Sequence, residues 1–235
     1  MRSRLPVLLL VSLLPVSLFA QSSSVMIDDV FPQHAQANEI GIFVNRPTFQ
    51  SSSREVFPLF EEATLDVHPK IGYGVSFNHF VSRNLSLQVS AQTVRGNARL
   101  ETAGGVHFTD SAGTLDLKQY DAAVHWNFVP EGPVRPYVGG GIGWIGGGKL
   151  QIAADPVNGI HAGAIALDNK VTWLVAGGVD FRISRSVAIT LEAKFTHYTS
   201  RGASNRAASF DPSDVLFGPL NLNPMTASAG MRWRF

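Results

Sequence analysis

The chain has 235 residues, with 19 Lys and Arg against 18 Asp and Glu, 7 His and no Cys. The near-neutral balance excludes the basic excess of a nucleic-acid-binding domain, and a chain without Cys has neither a disulfide frame nor a thiol nucleophile. Charged residues are 16% of the chain, below the roughly 25% of an average soluble domain, whereas glycine is abundant at 22 residues.

The N-terminus opens with Arg2 and Arg4, runs apolar from Leu5 to Phe19 and reaches Ala20 before a polar stretch. This is the layout of a secretory leader over residues 1–20, cleaved after Ala20. A membrane anchor is the alternative, but the run is short of the roughly 20 residues a spanning helix needs, and Pro6 and Pro15 interrupt it. No Cys stands at the cleavage point to carry a lipid.

Beyond residue 37 the apolar residues alternate, which is the period of strands and not of helices. In NEIGIFVN, Ile40, Ile42 and Val44 face one way and Glu39, Gly41 and Phe43 the other. KIGYGVSFNHFVS sets Ile71, Tyr73, Val75 and Phe77 against Gly72, Gly74, Ser76 and Asn78. NLSLQVSAQTV sets Leu85, Leu87, Val89 and Ala91 against Ser86, Gln88, Ser90 and Gln92. YDAAVHWNFV sets Tyr120, Ala122, Val124, Trp126 and Phe128 against Asp121, Ala123, His125 and Asn127. PYVGGGIGWIG sets Val138, Gly140, Ile142 and Trp144 against Gly139, Gly141 and Gly143. KVTWLVAGGVDFRI sets Val171, Trp173, Val175, Val179 and Phe181 against Thr172, Ala176, Asp180 and Arg182. SVAITLEAKFTHY sets Val187, Ile189, Leu191, Ala193 and Phe195 against Ala188, Thr190, Glu192 and Lys194. In MTASAGMRWRF, Met225, Ala227, Ala229, Met231, Trp233 and Phe235 share a face, with Arg232 and Arg234 on the other.

Each stripe has about the 9–11 residues with which a tilted strand crosses a bilayer. The connections also alternate. Three are short, at Ser82 to Asn84, Pro130 to Pro133 and Ser184 to Ser186, and four are long, at about 49–69, 97–114, 149–168 and 200–222. Short turns at one end and long loops at the other are the pattern of a transmembrane barrel, in which the last strand closes on the first and no edge is left in the hydrocarbon. The expected fold is therefore all-β: an eight-stranded antiparallel up-and-down transmembrane β-barrel.

RPYVGGGIGW (Arg135 to Trp144), GGVDFRISRSVAITLEAKF (Gly177 to Phe195) and the terminal MRWRF resemble the small eight-stranded outer-membrane barrels of the OmpA, OmpX and OmpW kind. The resemblance implies an outer-membrane barrel over residues 37–235, preceded by a periplasmic segment over 21–36 and by the leader. It implies the outer-membrane lipids, lipopolysaccharide and the outer-membrane assembly machinery as partners. Phe235, with Trp233 and Met231, resembles the signal that this machinery reads in the class. A closed barrel needs no second copy, so a monomer is expected.

By alternation the interior collects four acids, Glu39, Asp121, Asp180 and Glu192, and four bases, Arg182, Lys194, Arg232 and Arg234. Gly139, Gly141 and Gly143 face the same interior and leave room for long cations. Eight strands enclose a space that side chains fill, and a buried charge is costly unless paired. A lumen plugged by ion pairs is the expectation, serving a structural or surface-interaction barrel with extracellular loops. The alternative is a small passive channel, for hydrophobic or small solutes as in OmpW-type barrels.

Catalytic signals are weak. His34, His68, His107 and His161 show no metal-ligand spacing, and His125 faces the lumen near Asp121. His197 and Thr199 share the lipid-facing side of the seventh strand, which resembles the placement of a His and a Ser in lipid A deacylases. Here Thr stands for Ser, and no acid follows to orient the imidazole. The glycine runs GGGIG and GGGK have no helix behind them to cradle a phosphate. No enzyme activity, metal or cofactor is expected.

Overall fold

The computed structural model describes residues 38–50, 52–53, 63–102, 113–152, 163–201, 203–205 and 219–235. The expected leader (1–20) and periplasmic segment (21–36) lie outside the described residues.

Eight long strands form the wall: β1 (Asn38–Thr48), β2 (Gly72–Phe80), β3 (Leu85–Thr102), β4 (Gly113–Asn127), β5 (Val134–Ile152), β6 (Lys170–Arg182), β7 (Val187–Thr196) and β8 (Met225–Arg234). Each pairs antiparallel with its sequence neighbours, and β8 pairs with β1 from Met225↔Thr48 to Arg234↔Glu39. Mutual backbone bonds between Asn38 and Phe235, 3.1 and 2.9 Å, complete the seam. The ring has no open edge, which is the condition for strands to stand in lipid. No helix occurs among the described residues.

The apolar stripes assigned from alternation face outward. Ile42, Tyr73, Val89, Trp126, Ile142, Trp173 and Leu191 are each 46–61% exposed, and their in-between neighbours are buried or half-buried. So many exposed apolar side chains cannot face water. They form a belt whose height follows from β4. The outward residues Tyr120 to Phe128 span about 27 Å along the strand at ~3.4 Å per residue, or ~20 Å at a tilt of ~40°.

One expectation is corrected. The connections placed at about 49–69, 97–114, 149–168 and 200–222 contain strand. β3 runs on to Thr102, β4 starts at Gly113 and β5 reaches Ile152. Ala63–Lys70 pairs with the outer end of β3, Gly163–Ala166 with the outer end of β5, and Thr199–Arg201 with Pro219–Asn221. These additions hid because the chemistry of the alternation inverts. Along β4, burial alternates without a break. Below Gln119 the outward residues are apolar and the inward ones, Ala123 apart, are polar. Above it, Thr114, Asp116 and Lys118 face out while Leu115 and Leu117 are buried within. The outer medium changes from hydrocarbon to water at that height, so the face requiring apolar residues changes with it. Val67, Val94, Ala98, Ile145 and Leu167 join Leu115 and Leu117 in an apolar storey inside the outer end of the barrel.

The step into this storey is made at β5. The register shifts between Asp116 and Lys118, and Gly147 adopts φ 61°, a left-handed conformation that favours glycine. The Gly147 amide donates to Asn169 Oδ1 at 2.9 Å, which holds the bulge.

Candidate functional site: the barrel interior

The short turns bring the lower ends of the strands together, and each strand contributes polar side chains to the interior. At the turn end, Glu39 on β1 accepts from Arg135 Nη2 of β5 at 3.0 Å and from Arg234 Nη2 and Nε of β8 at 2.7 and 3.0 Å. Arg135 Nη2 also donates to Asp180 Oδ2 on β6 at 3.0 Å, and Arg232 Nη1 reaches the same oxygen at 3.3 Å. Phe80 lies beneath this cluster, its ring centroid 5.5 Å from the Arg135 guanidinium carbon and 5.1 Å from that of Arg234.

The network continues upward without a gap. Arg232 Nη2 donates to Gln88 Oε1 at 3.0 Å and to the Tyr137 hydroxyl at 3.2 Å. Tyr137 donates to Glu192 Oε2 at 2.8 Å. Lys194 Nζ sits 3.5 Å from Glu192 Oε1 and 2.9 Å from Asp121 Oδ2. Asp121 accepts from Gln119 Nε2 at 2.8 Å and Ser90 Oγ at 3.2 Å, and Gln119 also donates to Thr196 Oγ1 at 3.0 Å. Above these polar groups begins the apolar storey, where Tyr198 is fully buried and its hydroxyl donates to the Asp168 carbonyl at 2.8 Å. Burial there pushes the Tyr198 phenol above its usual range.

Seven of the eight charges expected in the interior therefore meet in one chain of contacts. The eighth, Arg182, faces inward at the turn end, is half-buried, and donates to the Pro130 carbonyl at 3.2 Å. Its place is taken by Arg135, which sequence reasoning missed and which is 1% exposed. Within the connected network four acids still meet four bases, with Arg182 outside it. Arg135 was legible: stepping back by twos from the inward Gly139 reaches Tyr137 and then Arg135. Pro136, which stands between them, masks the strand pattern at that point.

The room at the inward glycines is used differently from the expectation. A Cβ at Gly139 would collide with the ring of His125, and one at Gly143 would lie against the Asp121 carboxylate. These glycines admit side chains of the adjacent β4, not the long cations. His125 stacks on Tyr137, ring centroids 4.9 Å apart, and Asp121 turns to Lys194 instead of to His125.

The remaining sites are placed as follows. Phe235, Trp233 and Met231 all face outward, 67%, 37% and 39% exposed, at the turn end of β8. His197 is exposed and stacks on Trp173 at 5.4 Å, while Thr199 Oγ1 bonds Asn221 Oδ1 at 2.8 Å, so hydroxyl and imidazole have separate partners. Among the described residues no group of three His, Asp or Glu has the arrangement of a metal site.

A closed eight-stranded wall with an apolar exterior and a charged interior defines the class: a small transmembrane β-barrel of the outer-membrane type. Solved structures of that type are similar to it. OprG from Pseudomonas aeruginosa matches with a TM-score of 0.69 at 11% identity, over 88% of this chain and 99% of that one. AlkL, solved in lipid bilayers, matches with 0.59 at 12% identity, over 86% and 92%. Neisserial surface protein A matches with 0.52 at 13% identity, over 85% and 99%. At these identities the likeness is one of fold. No protein-family model matches the chain, and no curated protein matches it.

Proposed function

We propose that the protein is an outer-membrane barrel with a structural and surface-interaction role, its lumen closed by the charge network. One observation carries this reading: an unbroken series of ion pairs and hydrogen bonds runs from Arg234 at the turn end to Gln119 and Thr196 beneath the apolar storey. A solute would have to break several buried pairs, each costing about 3–5 kcal/mol when one partner is removed, and then displace packed Leu115 and Leu117. The rigid wall would carry the long connections between its strands on the cell surface. Its partners are the lipids and lipopolysaccharide around the belt and, during biogenesis, the assembly machinery that reads Phe235.

Planar-bilayer recording of the refolded protein tests the plug. A closed lumen gives no unitary steps above the lipid baseline. Discrete ohmic steps from the unmodified protein would replace this reading with the passive channel.

A further inference from the structure

The interior holds one more cation than its network uses. Among the described residues, the inward faces carry four acids, Glu39, Asp121, Asp180 and Glu192, and five bases, Arg135, Arg182, Lys194, Arg232 and Arg234. The excess lies at one end. Lys194 stands between Asp121 and Glu192 in the upper half, whereas Arg135, Arg182 and Arg234 gather at the turn end with Glu39 and Asp180, and Arg232 leans on the same Asp180 at 3.3 Å. Arg182 makes no ion pair among the described residues, and its one side-chain bond goes to the Pro130 carbonyl. The charges bearing on it most strongly are two further cations, Arg135 and Arg234, ahead of Glu39 and Asp180. Arg135 Nε and Nη1, buried beside it, make no hydrogen bond.

We infer that the turn-end mouth of the lumen is a binding site for a small oxyanion, inorganic phosphate or a free carboxylate, held between the Arg182 and Arg234 guanidiniums. Arg182, Ala188 and Arg232 stand in one row across β6, β7 and β8, so Arg182 is two strand spacings, ~9.6 Å, from the strand that carries Arg234. Two arginine side chains and one anion bridge that distance, and the short side chain of Ala188 leaves the gap between them open. Both guanidiniums can be reached from the turn side, since Arg182 is half-buried and the Arg234 side chain is 21% exposed. Arg234 gives Nε and Nη2 to Glu39 Oε1, while Phe80 and the buried network lie behind both heads and lower the local dielectric, which strengthens attraction to an anion. A planar fork of donors fits two oxygens of one carboxylate or phosphate and gives a spherical ion no such match. Arg83, on the neighbouring turn, is neutralised by Glu131 at 3.2 Å and offers no such excess.

The test uses the folded barrel in nonionic micelles at neutral pH and constant ionic strength. It is titrated separately with sodium phosphate, acetate and chloride while the arginine Nε–Hε resonances are followed by NMR. The Arg182 and Arg234 resonances are expected to shift saturably with phosphate or acetate, at least tenfold more tightly than with chloride, while that of Arg83 stays still. The relative strength of the two oxyanion arms decides between a phosphate and a carboxylate ligand. Arg182→Gln is expected to weaken the binding seen at Arg234 about fivefold, the equivalent of ~1 kcal/mol, and Arg83→Gln leaves it unchanged. Arg182→Lys keeps the charge and loses the fork, so the preference over chloride should fall; this variant carries the test if Arg182→Gln does not fold. Equal drift of all arginines with all three salts, or unchanged oxyanion affinity and preference in the Arg182 variants, overturns the site. The site stands whether or not the lumen conducts, so this titration and the bilayer recording fail independently.

Discussion

Replacing Arg135 with Met should destabilise the barrel far more than the same change at Arg182. Both arginines face the turn end of the lumen, yet their surroundings differ. Arg135 is 1% exposed and bridges two carboxylates, Glu39 and Asp180, at 3.0 Å each. Arg182 is half-buried and spends one bond on a backbone carbonyl. Losing one partner of a buried pair costs about 3–5 kcal/mol, because the other charge stays desolvated. Here Glu39 keeps Arg234 and Asp180 keeps Arg232, which puts Arg135→Met near ~3 kcal/mol, the lower end of that range. For Arg182→Met a single bond open to solvent sets the cost at ~1 kcal/mol or less. Both variants would be folded into phosphatidylcholine vesicles and titrated with urea while tryptophan fluorescence is followed. Trp126, Trp144, Trp173 and Trp233 all face outward and report loss of the lipid environment. Equal shifts, or a larger shift for Arg182→Met, would refute the assignment of Arg135 as the central cation.

Glu192→Lys would place a third cation beside Lys194 and Arg232, and should cost several times more in the same titration than the lipid-facing Leu191→Ile. The reverse ranking would turn every strand inside out. Leu117→Ala opens a cavity in the apolar storey and should cost about 2–5 kcal/mol. The lipid-facing Leu87→Ala should cost less because lipid refills the space, and parity of the two would deny that the storey is packed. Deleting Phe235 removes its backbone pairing with Asn38 and an outward aromatic, and should lower the yield of heat-modifiable protein in cell envelopes more than deleting Gly105 does. Tags at Gly105 or Asn158 should be reached by antibody on intact cells and a tag at Glu131 should not, whereas labelling at Glu131 would reverse the orientation.

The sequence by itself determined the wall. Alternation depends only on the strand period of two, so the outward stripes from Ile40 to Phe235 could be read strand by strand, and the short turns set their antiparallel order. It also determined that the interior is charged, with both signs present, since most inward residues follow from an outward one. What it did not disclose was any pairing across the lumen. Glu39 and Arg135 are 96 residues apart, and only closure of the wall, with its particular stagger, brings β1 and β5 within reach of one guanidinium. The same closure decided that the inward glycines of β5 serve His125 and Asp121. The outer storey was written in the sequence as alternation of opposite sign. That sign has a meaning only once the height of each residue relative to the apolar belt is known, and height is a property of the assembled barrel.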